Sequence, residues 1–263
     1  MSNTASIIDL PLWLQTPPGS YLLAWEQARI DAQVADVFGY HAVQLGLPEL
    51  DALRANRMPH RWLVQPDADA TEGRAVAVCC EFDALPFANQ SLDLVVLPHT
   101  LEFARDPHHT LREVERVLVP EGRVIVFGFN PASLWGARQW AGRWALRFGA
   151  DRDGRALYLP RAGDFIGARR LRDWLRLLGF EVDGGSFGCY RPPLRSQPWL
   201  DRWAWMEKAG DRWWPVFGAV YTVAAVKRVR GMRLIGPAWK KVPKPRAAPA
   251  VVSHRHRETH EIQ

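Results

Sequence analysis

Residues 91–129 read SLDLVVLPHTLEFARDPHHTLREVERVLVPEGRVIVFGF, and this stretch decides the fold. Leu92 to Leu97 is an apolar run bounded by turn residues, the pattern of a strand buried on both faces. Asp106 supplies an N-cap and Pro107 a first-turn proline, after which Leu111, Val114 and Leu118 recur at helical spacing up to Val119. Pro120, Glu121 and Gly122 stop that helix, and Arg123 to Phe129 is the next apolar run. Strand, helix and strand of these lengths make one βαβ crossover, which requires a parallel pair.

Outward from this unit, apolar runs alternate with helix-period segments from residue 41 onward, which predicts an α/β domain with a mainly parallel sheet. His41 to Leu45 reads as a first strand, Pro48 to Ala55 as a helix, Arg61 to Gln65 as a second strand and Ala75 to Cys80 as a third. Before them, Pro17, Pro18 and Gly19 break the chain and Tyr21 to Phe38 reads as a helix with Leu22, Trp25, Ile30, Val34 and Val37 available for one face. Downstream, Gly163 and Asp164 cap a helix carrying Leu171, Trp174, Leu175 and Leu178, Gly179 occupies its left-handed C-cap, and Phe180 to Val182 opens a strand. Val216 to Val226 reads as the last strand. The expected organisation is an extension and helix over 1–40, the α/β domain over 41–236 with cap insertions at 131–160 and 190–214, and a tail over 237–263.

The 263-residue chain carries a net charge of +6, and the location of that charge matters. The tail holds six basic residues against Glu258 and Glu261, a net of +4, so the remainder is nearly balanced. A balanced body gives no electrostatic footprint for a nucleic-acid duplex. The Pro-, Ala- and Lys-rich tail has almost no large apolar residue after Trp239, a composition expected to stay disordered. His254, His256 and His260 within it have no supporting shell, so no metal is expected. The three cysteines, two of them adjacent at Cys79 and Cys80, suit a reducing compartment, and the first basic residue is Arg29. A cytoplasmic location is the expectation.

Nine of thirteen tryptophans fall between Trp135 and Trp214. Trp140 and Trp144 are four apart with Phe148 beyond them and Arg138, Arg143 and Arg147 off the stripe, an amphipathic basic helix. The reading preferred is a helix covering the sheet with its aromatic face; the alternative is a membrane-surface or substrate-lid role, a peripheral membrane contact. Trp199, Trp203 and Met206 repeat the spacing as a second cap.

Residues 80–126 resemble the class I S-adenosylmethionine-dependent methyltransferases, the group that includes the ubiquinone and menaquinone methylases. The resemblance rests on an acid at Glu81, LPF at 85–87, LDLV at 92–95, LEF at 101–103, the DP-capped helix and RVLVPEG at 116–122, submotifs that follow in order ahead of a strand. GFNPASLWG (128–136) and RLRDWLRLLGFEV (170–182) are similar to a proteobacterial branch of that family. The resemblance implies a doubly wound, seven-stranded, mainly parallel sheet with one antiparallel strand, and S-adenosylmethionine where the strand order reverses. It further implies that Glu81 accepts a hydrogen bond from the adenine amino group and that the Phe82 backbone N–H meets the ring. Leu97 and Pro98 then face the methionine part of the cofactor, and His99 stands near the transferred methyl as the candidate catalytic residue. In the first turn, Gln44 stands where the family has an acid and Gly46 matches its first glycine, while Pro48 and Leu50 replace the next two.

The implied function is methyl transfer from S-adenosylmethionine to a small or apolar acceptor in an aromatic-lined pocket. A catalytically silent relative kept for binding and an RNA-modifying enzyme using the basic tail are the alternatives. Methyl transfer from a sulfonium is mostly positioning and desolvation, so no metal or triad signature is required.

Overall fold

The computed structural model describes residues 9–67, 75–149, 157–160 and 163–228. The tail and its three histidines lie outside the described residues. Two units divide the chain at residue 229, and all the elements below belong to the first.

Helix α1 spans Asp9–Leu14 and α2 spans Pro17–Val34. The prolines expected to break the chain instead form the first turn of α2, since a first-turn residue has no intrahelical use for its N–H and Pro presets the helical φ. Thr16 is the N-cap, its hydroxyl accepting from Gly19 N. The inward stripe is Leu22, Glu26, Ile30 and Val34, so a glutamate occupies a place the apolar pattern assigned to Trp25.

Strands β1 (His41–Leu45), β2 (His60–Gln65), β3 (Val78–Cys79), β4 (Leu92–Pro98), β5 (Leu118–Phe129), β6 (Phe180–Gly188) and β7 (Val220–Lys227) form one sheet in the order β3-β2-β1-β4-β5-β7-β6. The first five run parallel, and β7 is antiparallel to both β5 and β6. The chain winds outward from β1 through β3 and then returns to the opposite flank of β1, which makes the β1–β4 junction the switch point of the sheet. The expected seven-stranded, doubly wound architecture is the one observed.

Helices α3 (Thr100–Phe103), α4 (Pro107–Val117), α5 (Leu134–Arg147), α6 (Ala168–Leu177), α7 (Gln197–Arg202) and α8 (Trp205–Trp213) complete the domain. Leu94, Val96, Ile125 and Phe127 pack with Leu22, Ile30 and Val34 on one face of the sheet. Val95, Leu97, Val124 and Val126 pack with Leu111, Val114, Leu171 and Leu175 on the other. Alternate residues of a strand point to opposite faces, so a strand covered on both sides reads as an apolar run, which is why β4 and β5 were legible.

Several expected elements differ. No helix forms over Pro48–Ala55, which is a series of turns, and β3 shrinks to two residues at the sheet edge. The N-cap of α6 is Gly167, although Gly179 does adopt the left-handed conformation, at φ +85°. A 3₁₀ turn at Pro215–Phe217 takes the start of the expected last strand, which begins at Val220. Helix α5 buries Trp135, Gly136, Gln139 and Gly142 and turns its aromatic stripe outward, against the expectation that this stripe covers the sheet. Trp135 decides that rotation: its indole N–H donates to Arg191 O at 2.8 Å and its ring packs edge-on against Tyr158.

Gly188 shows how closely α2 lies on the sheet. A Cβ there would sit 2.0 Å from the Trp25 ring, whereas one at Gly184 would meet nothing within 4 Å. We expect Gly188→Ala to destabilise the protein by roughly 1–3 kcal/mol through overpacking. Thermal unfolding checks this, with Gly184→Ala leaving the transition close to that of the parent protein.

Candidate active site

The site begins where β1 ends. Gly46 takes φ +83° and Leu47 φ +45°, and the turn they start is organised from beneath by Gln44. The fully buried Gln44 amide donates from Nε2 to the carbonyls of Gly46 (3.0 Å), Leu47 (2.8 Å) and Leu50 (2.8 Å), while Oε1 accepts from Ala52 N at 3.1 Å. Three converging carbonyls call for a donor, which a carboxylate is not. The same bonds work against a helix over Pro48–Ala55, because the Leu50 carbonyl and the Ala52 N–H are both taken by the Gln44 side chain.

Above this turn, at the carboxyl ends of β1, β2 and β4, a cavity of about 280 Å³ is lined among others by Gly46, Glu49, Gln65, Phe82, His99 and Phe103. The Nε2 of buried Gln65, at the end of β2, has no hydrogen-bond partner. An unpaired buried donor is costly unless something that enters the site satisfies it. Burial raises the Glu49 carboxyl above its ordinary 4.5.

Gly46, Phe82, Pro98 and His99 all line this cavity. Gln44 lies beneath it, Leu97 belongs to the apolar core, and Glu81 is exposed outside the cavity lining. Glu49, Thr100 and Phe103 are residues that sequence reasoning missed. An acid within the turn that follows the first strand was a signal available for Glu49; Phe103 stood only as the last residue of LEF at 101–103.

His99 adopts φ +55° and is fully enclosed. Its Nε2 lies 2.7 Å from Glu26 Oε1 on α2, and its Nδ1 lies 2.7 Å from Glu102 Oε2 on α3. Glu102 also accepts from Phe129 N at 2.6 Å, and the imidazole lies against the Phe129 ring at 4.3 Å. Burial alone would disfavour the imidazolium, but the two carboxylates outweigh it and push His99 up to about 10. Burial likewise raises Glu102, against the opposing pull of His99. Glu26 was invisible as a site residue because it sits in an otherwise apolar helical stripe.

A second cleft of about 890 Å³ lies beside the first, and Phe103 lines both. Its walls include Arg105, Trp140, Arg143, Phe165, Arg170 and Trp174. Arg143 stacks over Phe165 and donates to Gly163 O at 3.0 Å, and Arg170 stacks over Trp174. Among the described residues none of these arginines is ion-paired to a carboxylate, and the cleft sets three arginines and several aromatic rings against the two acids in its lining, Glu102 and Asp164. No group of three His, Cys, Asp or Glu side chains among the described residues is arranged to hold a metal ion.

A doubly wound sheet with a ligand-sized cavity at its switch point defines an α/β protein whose strand order places a binding site at the carboxyl ends of its strands. Residues 61–126 match the family model of the methyltransferase domain, a match that starts beyond the β1 turn. The YafS protein of Escherichia coli K12 is 28% identical over 251 residues, covering 95% of this chain and 94% of that protein. Among solved structures, a methyltransferase in complex with the Haloferax volcanii Trm112 methyltransferase activator is similar at TM-score 0.55 and 17% identity, covering 86% of this chain and 99% of that one. A S-adenosylmethionine-dependent methyltransferase from Thermotoga maritima is similar at TM-score 0.52 and 18% identity, covering 79% and 92%. At these identities the structural likeness is one of fold. The domain match over residues 61–126 and the sheet order together show a doubly wound fold of the methyltransferase type.

Two outcomes follow from this geometry. His99→Asn keeps a residue that tolerates the left-handed backbone but strips two buried carboxylates of their cation, so it should cost roughly 3–5 kcal/mol. In the parent protein, the folded state holds the His99 proton up to about pH 10 while the unfolded chain releases it near 6.5. The cluster's stabilisation is therefore complete below about pH 6.5 and is lost progressively toward pH 10. The raised Glu102 adds a loss of the same sign that starts at lower pH. Denaturant titrations across that range check both, the variant losing the His99 part of the slope.

Gln44→Glu places an acceptor against three carbonyls. It should destabilise the fold by about 1–3 kcal/mol at pH 8 and by less at pH 5, where the protonated acid can donate. Thermal melts at the two pH values read the difference.

Proposed function

We propose that this protein transfers a methyl group from S-adenosylmethionine to an acceptor seated in the arginine- and aromatic-lined cleft. One observation carries the reading: the switch-point cavity presents an unpaired buried donor, Gln65 Nε2, together with the carboxylate of Glu49 at its solvent-exposed rim, and meets the second cleft across Phe103. A ligand with hydroxyls to accept from Gln65 and an ammonium to pair with Glu49 suits those two groups, and the cofactor has both.

In this reading Gly46 lets the turn backbone approach the cofactor, Gln65 holds its ribose and Glu49 its ammonium. Phe82 packs on the adenine, Glu81 reaches its amino group from the exposed side, and Pro98 with Leu97 carries the backbone edge facing the methionine end. When bound, S-adenosylmethionine supplies an electrophilic methyl on a sulfonium whose charge is lost during transfer. The protein's part is to orient and to exclude water. His99 holds its proton between Glu26 and Glu102 and fixes the loop after β4 at the junction of the two cavities. Its role is to position that loop and to set the local field. Arg105, Arg143 and Arg170 favour an acceptor that arrives as an anion with an apolar or planar body, which needs no base to activate it.

Calorimetric titration with S-adenosylmethionine and S-adenosylhomocysteine tests the reading. Both should bind, and Glu49→Gln should weaken S-adenosylmethionine by roughly 10- to 100-fold, the worth of a hydrogen bond to a charged group. Glu81→Ala should weaken both ligands by a smaller factor, as befits an exposed contact. Absence of binding at millimolar ligand would instead identify a catalytically silent relative.

A further inference from the structure

Helix α5 presents to solvent what most helices hide. Trp140, Trp144 and Phe148 are 66%, 54% and 67% exposed, and they follow one another at i, i+4 and i+8 with ring centroids 6.1 and 4.6 Å apart. At about 100° per residue they form one stripe. Leu134, more than half exposed, continues its apolar edge, and Arg143 and Arg147 line the opposite edge. A contiguous exposed aromatic row on a small protein marks a surface that is covered in use.

Charge selects what covers it. The sequence of α5, LWGARQWAGRWALR, has three arginines and no aspartate or glutamate, whereas every other helix of eight or more residues among those described contains an acid. Helix α8 also exposes Trp205 and Trp213, but it carries Glu207 and Asp211 and so selects no anionic partner. A partner for α5 must be anionic and must accept indoles, a phenyl ring and an aliphatic edge side by side. Single-stranded RNA would stack on the rings but offers nothing to Leu134. A bilayer interface accepts all of them: indoles settle at headgroup depth, Phe and Leu reach the acyl boundary, and arginines extend to lipid phosphates.

We propose that the exposed face of α5 docks this protein on an anionic bilayer surface. Trp140 and Arg143 also line the mouth of the larger cleft, so docking turns that mouth toward the lipid. Delivery of a membrane-resident acceptor through it rests on the methyltransferase reading, whereas the docking itself does not.

The test is co-sedimentation of the full chain, without cofactor, with phosphatidylcholine vesicles and with vesicles of mixed phosphatidylglycerol and phosphatidylcholine, at low and high salt. The protein should sediment with the anionic vesicles, and less so as salt rises. Combined Trp140→Ala, Trp144→Ala and Phe148→Ala substitution should weaken this by at least about tenfold. Because those side chains are exposed, the variant should unfold at nearly the parent temperature. Arg147→Glu should weaken binding on its own. The basic tail is intact in every variant, so sedimentation that survives the substitutions would assign binding to another surface and overturn the proposal. Equal sedimentation with neutral vesicles, or capture of single-stranded RNA without any vesicle binding, would overturn it as well. None of these outcomes bears on cofactor titration, which keeps the two readings separable.

Discussion

An imidazole held between two carboxylates, Glu26–His99–Glu102, joins four parts of the molecule that would otherwise be tied only by apolar contact. Glu26 comes from α2, His99 from the end of β4, Glu102 from α3, and the second oxygen of Glu102 captures the backbone N–H of Phe129 at the end of β5. These are the carboxyl ends of the two central strands, where the loops that line both cavities depart. A charged cluster this deep brings little net stability, because desolvating each ion offsets most of the attraction. What it does bring is a single arrangement, since any shift of one member leaves another buried charge without its partner. The left-handed backbone at His99 is the local strain that this arrangement maintains.

The turn after β1 is built on the same economy of one side chain serving many backbone groups. A glycine-rich turn reaches its shape through backbone freedom; here Pro48 and Leu50 restrict that freedom, and Gln44 compensates by binding three carbonyls and one N–H. Glu49, within the same turn, lines the cavity above it.

Beyond the sheet, the aromatic and arginine residues of the second half divide between two duties. Phe165 and Trp174, stacked under Arg143 and Arg170, furnish the walls of the larger cleft. Elsewhere Glu207 anchors α8, accepting from Cys189 N, Tyr190 N and the Tyr21 hydroxyl, and so ties α8 to β6's end and to α2. Apart from buried Trp135, and Trp140 at the cleft, the rings of α5 serve neither packing nor cleft interior, and their exposure is what sets this surface apart.

The sheet's class, its two central strands and the helix between them were legible in residues 91–129, because burial on both faces and capping are local properties that leave local marks. Gly46, Phe82, Pro98 and His99, which line the cavity, stand in short stretches that can be singled out along the chain. Glu26 could not be read that way, since it lies 73 residues from the histidine it contacts and sits in an apolar stripe. The rotation of α5 was equally hidden: its pattern shows that one face is aromatic and one basic, but which face turns inward depends on Trp135 finding Arg191 O, 56 residues away. Periodicity reports what a segment can bury. Only the closed structure decides which polar groups meet in the interior, because a buried charge or N–H is satisfied by partners that the chain brings from far along its length.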